Sequence, residues 1–314
     1  MLPKQSNILI LSLILLVMAA CRPVAATPLV IQSPIPRPTQ TERPSPTLSP
    51  SSTATTAPSA TPRPTLTPAP VGSPTPAPCQ DTQGKVLSLQ ASFDFFPKPL
   101  QFQLYLPPCY AIDPAVRYPL LILLHGQDAD DQQWIRLGAV AAADRLISSG
   151  QSAPFLIAMP YEEYDLQDPS ESSFGKLVTQ GLLPWIDQHY ATCTARACRA
   201  IGGLSRGAAW AVRLGFTDWK DFGEVGAHSL AYFWGDNVML RQWTRLIPPG
   251  QLPALYLDIG DKDRYLPSAT EFEGLLTRYQ VPHTWLINQG IHNEDYWQAH
   301  VEEYLRWYTQ PWKK

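Results

Sequence analysis

The pattern of apolar and polar positions changes twice along the chain. At residues 86–93 (VLSLQASF) and 101–107 (QFQLYLP), apolar and polar residues alternate. A period of two with one apolar face predicts an antiparallel hairpin at a sheet edge. Beyond residue 118 the strand-like segments are continuous short apolar runs: PLLILLHG (119–126), PFLIAMP (154–160), RAIGGLS (199–205), EVGAHSL (224–230), ALYLDIG (254–260) and HTWLINQG (283–290). Runs of this kind, ending at Gly, Pro or a polar residue, suit parallel strands covered on both faces. Helical stretches lie between them. DDQQWIRLGAVAAADRLISSG (130–150) is read as one helix, with Asp130 or Asp131 as its cap and Gly150 at its end. PSATEFEGLLTRYQ (267–280) opens on Pro267 and Ser268. Eight strands with intervening helices predict one α/β domain, residues 79–314, built on a mostly parallel sheet with an antiparallel N-terminal hairpin and helices on both faces.

The first 78 residues do not fit this pattern. Lys4 precedes an apolar run from Ile8 to Ala20, shorter than the roughly 20 residues a membrane span requires, so residues 1–20 read as a signal peptide. The junction Val17-Met18-Ala19-Ala20-Cys21 resembles a bacterial lipoprotein signal, which implies that Cys21 becomes the lipid-modified first residue of the mature chain. Each buried methylene of an acyl chain contributes roughly 0.8 kcal/mol, so two or more chains hold a protein on a membrane stably. The expectation is an exported protein anchored at the cell surface or on the outer face of the cytoplasmic membrane. Between Cys21 and Pro78 the chain turns to Pro, Thr, Ser and Ala and carries 16 of its 33 prolines. Such a tract favours polyproline II and reads as a semi-stiff linker with a reach on the order of 150 Å.

Composition bounds the rest. The 314 residues carry a net charge of -3 and are 45% hydrophobic, enough for one sizeable core and without the basic excess of a nucleic-acid-binding protein. Cys79, Cys109, Cys193 and Cys198 remain once Cys21 is set aside, an even number that argues for disulfides in an exported chain. Three pairings are possible. The local one, Cys79–Cys109 and Cys193–Cys198, needs the least backbone rearrangement.

In open α/β sheets chemistry gathers at the carboxyl ends of strands. Four of those ends carry reactive side chains: His125-Gly126 after the first run, Ser205 after RAIGGL, Asp261 and Asp263 after ALYLDIG, and His292 after HTWLINQG. Ser205 stands between Gly203 and Gly207, with Ala208 and Ala209 next. A sharp strand-to-helix turn puts the residue at its tip in a strained conformation and leaves no room for side chains two positions away, which explains both glycines. Ser, Asp and His follow one another in the order associated with α/β-hydrolases. Asp258, inside the strand, and Asp261 compete with Asp263 for the acid's place.

On the segments LYLPPCY, YPLLILLHG, AIGGLSRG, GDKD and GIHNEDYW, residues 79–312 resemble the esterase family of α/β-hydrolases that includes feruloyl esterases, esterase D-type enzymes, enterobactin esterases and mycolyltransferases. The resemblance implies a serine carboxylic-ester hydrolase with Ser205 as nucleophile, His292 as base and Asp263, three residues past Gly260, as the acid that orients it. The backbone N–H groups of Gln127 and Arg206 are the expected oxyanion donors. It also implies acylated carbohydrate, feruloyl or acetyl esters, as substrate, and no cofactor. Two positions depart from the family pattern: Gln127 stands where many lipases have glycine, and Ile291 precedes the histidine where glycine is frequent.

Further candidates concern the pocket. His125, expected to support the oxyanion loop, His228, Trp134 and Trp234 are candidate substrate-contacting residues, the tryptophans because an indole stacks on sugar or phenolic rings. Trp210 is expected in the core and Trp297 against the last helix. His189, His283 and His300 are expected at the surface or in packing. No His-Glu-x-x-His occurs, so no metal is expected. A mycolyltransferase-type acyltransferase and a non-catalytic binding protein on a hydrolase fold are the alternative readings.

Overall fold

The computed structural model describes residues 79–163 and 166–313. The expected signal peptide, Cys21 and the linker to Pro78 lie outside the described residues. Eight strands, β1 (Lys85–Phe93), β2 (Phe96–Leu106), β3 (Leu120–Leu124), β4 (Leu156–Pro160), β5 (Arg199–Leu204), β6 (Glu224–His228), β7 (Ala254–Gly260) and β8 (His283–Asn288), form one sheet in the order β1-β2-β4-β3-β5-β6-β7-β8. β1 and β2 make the antiparallel hairpin, β2 lies antiparallel to β4, and every later pairing is parallel. The central strands β3, β4, β5 and β6 are buried along their whole length, which is why they are apolar throughout instead of alternating.

The helices are α1 (Gln133–Arg136), α2 (Ala139–Ser148), α3 (Phe174–Lys176), α4 (Leu183–His189), α5 (Arg206–Thr217), α6 (Asp236–Leu246), α7 (Leu266–Arg278) and α8 (Glu294–Tyr308), with a π-helical turn at Leu177–Leu182 joining α3 to α4. They divide between the two faces of the sheet. Ala208, Ala209 and Val212 of α5, with Leu240 of α6 and Phe272 of α7, pack on one face. Ala142, Ala143 and Leu146 of α2, with Tyr304, Leu305 and Tyr308 of α8, pack on the other.

Local readings needed correction at three places. The segment 130–150 is two helices, because Gly138 at φ 90° closes α1 and starts α2 in a conformation a helix cannot continue through. The position before α1 is Gln132, without a side-chain cap of its own; Asp130, two residues earlier, accepts the Gln132 N–H at 3.1 Å and binds Arg136, while Asp131 accepts from Gln103. β2 begins at Phe96, five residues before the alternating stretch that signalled it. In α7, Leu266 precedes Pro267, whose fixed φ and missing N–H suit a first helical turn.

Cys79 is bonded to Cys109 and Cys193 to Cys198, with Cα separations of 5.7 and 5.8 Å. Among the described residues no helix is long and apolar enough to cross a membrane.

Candidate active site

The site is built at the carboxyl ends of β3, β5, β6, β7 and β8. Ser205 follows β5 with φ 53° and ψ -117°, a region an L-residue occupies only when its surroundings hold it there. They do so by close packing. A Cβ on Gly203 would overlap the backbone of Gly207, and a Cβ on Gly207 would overlap the carbonyl oxygens of Leu124 and His125. The Ser205 N–H is fixed by the His228 carbonyl at 2.9 Å. The turn therefore lifts the Ser205 side chain off the sheet.

Three side chains from distant segments meet there. Ser205 Oγ lies 2.9 Å from His292 Nε2, and His292 Nδ1 lies 2.8 and 3.0 Å from the two oxygens of Asp263. An ionised carboxylate only accepts, so the Nδ1 proton points at Asp263 and Nε2 is left to accept from the serine hydroxyl. Burial acts to raise the Asp263 pKa, but hydrogen bonds from His292, the Tyr265 N–H and the Ser229 hydroxyl, with the nearby imidazole charge, outweigh it and hold the carboxyl below its ordinary range. The rival acids are engaged elsewhere. Asp258 is fully buried and takes hydrogen bonds from His228, Tyr296 and Tyr304. Asp261 accepts the Gly290 N–H at 2.9 Å and braces the loop that carries His292.

A cavity of about 430 Å³ opens over this constellation, walled by Gln127, Arg206, Phe233, Trp234, Tyr265 and Trp297 among others. Arg206 is the first residue of α5, so its N–H has no carbonyl four residues back within the helix. Gln127, in the loop after β3, lies on the same wall. Trp234 is 98% exposed and stands at the rim. The rings of Tyr265 and Trp297 flank His292 edge-on, with centroids 4.9 and 5.0 Å away.

Three candidate pocket residues are corrected, since none of them is on the cavity wall. Trp134 is 1% exposed, packs with Leu121 and Leu123 of β3 in the core, and donates its indole N–H to the Leu124 carbonyl. His228 is 0% exposed, bonded through Nδ1 to Asp258 and through Nε2 to Tyr308. His125 is buried with both ring nitrogens engaged, at the Gly126 carbonyl and the Glu162 N–H. Trp210 is buried, and Trp297, on α8, gives its N–H to Ser229. His189 stacks on Trp185, His283 contacts Glu273 and His300 contacts Glu303.

Sequence reasoning missed Glu162 and Ser229. Both had a signal: each stands one or two residues beyond a strand's carboxyl end, β4 and β6 respectively, where chemistry gathers in open α/β sheets. Tyr232, Phe233, Arg264 and Tyr265, also on the cavity wall, lie in loops whose course no local pattern predicts.

Comparison with known proteins agrees with this architecture. The family described as "Putative esterase" matches residues 95–308. A curated endo-1,4-beta-xylanase/feruloyl esterase of Xylanibacter ruminicola is 32% identical over 98 residues, 29% of this chain and 14% of that much longer protein. Among solved structures, a ferulic acid esterase superposes with a TM-score of 0.65 at 21% identity, covering 74% of this chain and 99% of its own. A ferulic acid esterase from Anaeromyces mucronatus, in complex with ferulic acid, gives 0.60 at 18% identity over 72% and 90%. An S-formylglutathione hydrolase from Staphylococcus aureus gives 0.63 at 16% identity over 73% and 100%. These likenesses identify the α/β-hydrolase fold. With its family match spanning more than half of its length, the chain belongs to this esterase family.

Proposed function

We propose that the protein is a serine esterase that cleaves carboxylic esters through an acyl-enzyme. The observation that carries this reading is the series Ser205 Oγ, His292 Nε2, His292 Nδ1 and Asp263, each link within 3.0 Å. As Oγ attacks the ester carbonyl, His292 Nε2 takes its proton and the carbonyl oxygen becomes an oxyanion facing the Gln127 and Arg206 N–H groups. The C–O bond then breaks, the leaving alcohol takes the proton from His292, and the acyl group stays on Ser205. Water repeats the sequence and releases the acid. Asp263 holds the imidazole in the reactive tautomer and offsets its charge in both halves.

Acylated carbohydrate, with feruloyl or acetyl groups, is the substrate class we favour, supported by the likeness to feruloyl esterases and by an exposed indole at the mouth of the cavity. We also propose export and attachment through a lipid on Cys21, supported by the apolar leader and by two disulfides of the kind formed in oxidising compartments.

Residues 79–314 are expected to release nitrophenol from short-chain esters and to react with a fluorophosphonate probe, and Ser205→Ala to lose both, with turnover falling on the order of 10⁴-fold or more. Absence of both activities in the wild-type protein would sink the proposal. Methyl ferulate, acetylated xylan and simple aryl esters, compared in one panel, test the substrate class. Cys21→Ser should move the full-length protein from the membrane fraction to the soluble exported fraction.

A further inference from the structure

Glu162 follows β4 and is 3% exposed, and it is bonded to Arg206, one expected oxyanion donor, and to His125, two residues before the other. Its carboxylate receives three N–H groups: Arg206 Nε on Oε2 at 3.0 Å, and Arg206 Nη2 and Trp210 Nε1 on Oε1 at 2.7 and 2.9 Å. Its own backbone N–H donates to His125 Nε2 at 2.8 Å. A ring nitrogen that accepts an N–H carries no proton, so the His125 proton is on Nδ1. Nδ1 therefore donates to the Gly126 carbonyl, 2.7 Å away.

That carbonyl belongs to the same planar unit as the Gln127 N–H, and in a trans peptide the two point in opposite directions. Holding the carbonyl toward His125 turns the Gln127 N–H away from it. On the other side, the Arg206 side chain is anchored by Glu162 and by its bond to the Gln167 carbonyl at 2.9 Å, immediately after the strained Ser205. One residue is thus fastened to both halves, through its backbone to the Gln127 peptide and through its carboxylate to Arg206.

We propose that Glu162 is a positioning residue that sets the two oxyanion donors relative to each other. This rests on the serine-esterase reading. A donor's effect on rate depends on where it points when the oxyanion forms, and small errors in the supporting residues are enough to lose it. Glu162→Gln keeps the shape but replaces one accepting oxygen by an –NH2 group, so at least one of the three N–H donors loses its acceptor.

The test compares kcat, KM and the affinity of an aryl trifluoromethyl ketone, whose serine adduct carries an oxyanion, in the wild type and in Glu162→Gln, Arg206→Met and the double variant. Glu162→Gln should lower kcat by about 10- to 100-fold with KM changed less than about threefold, and ketone affinity should fall in step with kcat/KM. The double variant should be no slower than the slower single one, since both remove one connection. Should Glu162→Gln fail to fold, His125→Asn and His125→Leu take its place. They have similar size, but only asparagine can donate to the Gly126 carbonyl, so it should retain at least about tenfold more kcat. Wild-type kcat in Glu162→Gln, multiplying losses in the double variant, or equal kcat in the two His125 variants would overturn the proposal. Ser205→Ala at wild-type turnover would instead overturn the serine-esterase reading on which it rests.

Discussion

The indole N–H of Trp297 ends on Ser229 Oγ, 3.0 Å away, and the Ser229 hydroxyl is itself bonded to Asp263. Asp263 thus takes hydrogen bonds from Ser229 and from the Tyr265 N–H as well as from His292. Removing the carboxylate charge in Asp263→Asn should lower kcat by about 10⁴-fold. Ser229→Ala and Trp297→Phe, which loosen the same carboxylate, should each cost about tenfold or less in kcat. Asp261→Asn should stay within a few-fold of wild type. Steady-state kinetics on one aryl ester separates these outcomes, and a large loss in Asp261→Asn with none in Asp263→Asn would reassign the acid.

The same carboxylate links stability to pH. Its folded-state pKa lies below the ordinary value near 3.9. Its contribution to stability is therefore fully present above that unfolded value and is lost as pH falls through the folded one. Denaturation midpoints measured between pH 6 and pH 2 should fall less steeply at the acid end in Asp263→Asn than in the wild type.

Glu224 behaves in the opposite sense. Burial at the start of β6 raises its pKa to about 7, against the smaller lowering effect of Arg196, and its Oε2 has no hydrogen-bond partner. A folded-state value above the unfolded one means that stability is greatest below about 4.3, declines as pH rises toward 7, and then levels off. Glu224→Gln should remove that decline, raising Tm relative to the wild type at pH 8 and leaving it near wild type at pH 4. Equal Tm differences at the two pH values would contradict the assignment.

Two glycines, Gly207 at the tight turn after Ser205 and Gly274 within α7, carry opposite predictions. Gly207→Ala drives a Cβ into the Leu124 and His125 carbonyl oxygens, and backbone has little freedom to move. A loss of about 3 kcal/mol or more is expected, together with the loss of activity. Gly274→Ala, in the middle of α7 with nothing within 4 Å of its Cβ, should stabilise by about 0.5–1 kcal/mol. Urea denaturation of the two variants checks both signs.

Trp234 supports nothing in the core, being almost wholly exposed. Trp234→Ala should leave Tm unchanged and kcat/KM for methyl acetate near wild type, while raising KM for feruloyl or sugar-linked esters by about 5- to 30-fold, the value of about 1–2 kcal/mol of stacking. Equal effects on small and large esters would remove the indole from substrate recognition.

The strand sequence was legible because a buried strand must be apolar, and the sharpness of the turn at Ser205 because only glycine fits on either side of it. The break at Gly138 was not legible, since a single glycine inside an apolar-rich helical stretch is also compatible with an uninterrupted helix. Aromatic and imidazole groups near strand ends often line a pocket, which is why the sequence points Trp134 and His228 there. Side-chain direction decided otherwise: both turn into buried positions where the Leu124 carbonyl and Asp258 are waiting for their N–H groups.

By itself the sequence determined the class of fold, the serine at a strand-to-helix turn, and the order in which serine, acid and histidine follow one another. These are local properties, set by the period of apolar residues and by the steric demands of a few backbone positions. Only the tertiary structure decided that Asp263, and neither Asp258 nor Asp261, reaches His292, and that Glu162 joins Arg206 to the His125 side of the site. Those contacts link residues tens of positions apart, and their direction depends on how the loops leave the sheet, which no local pattern encodes.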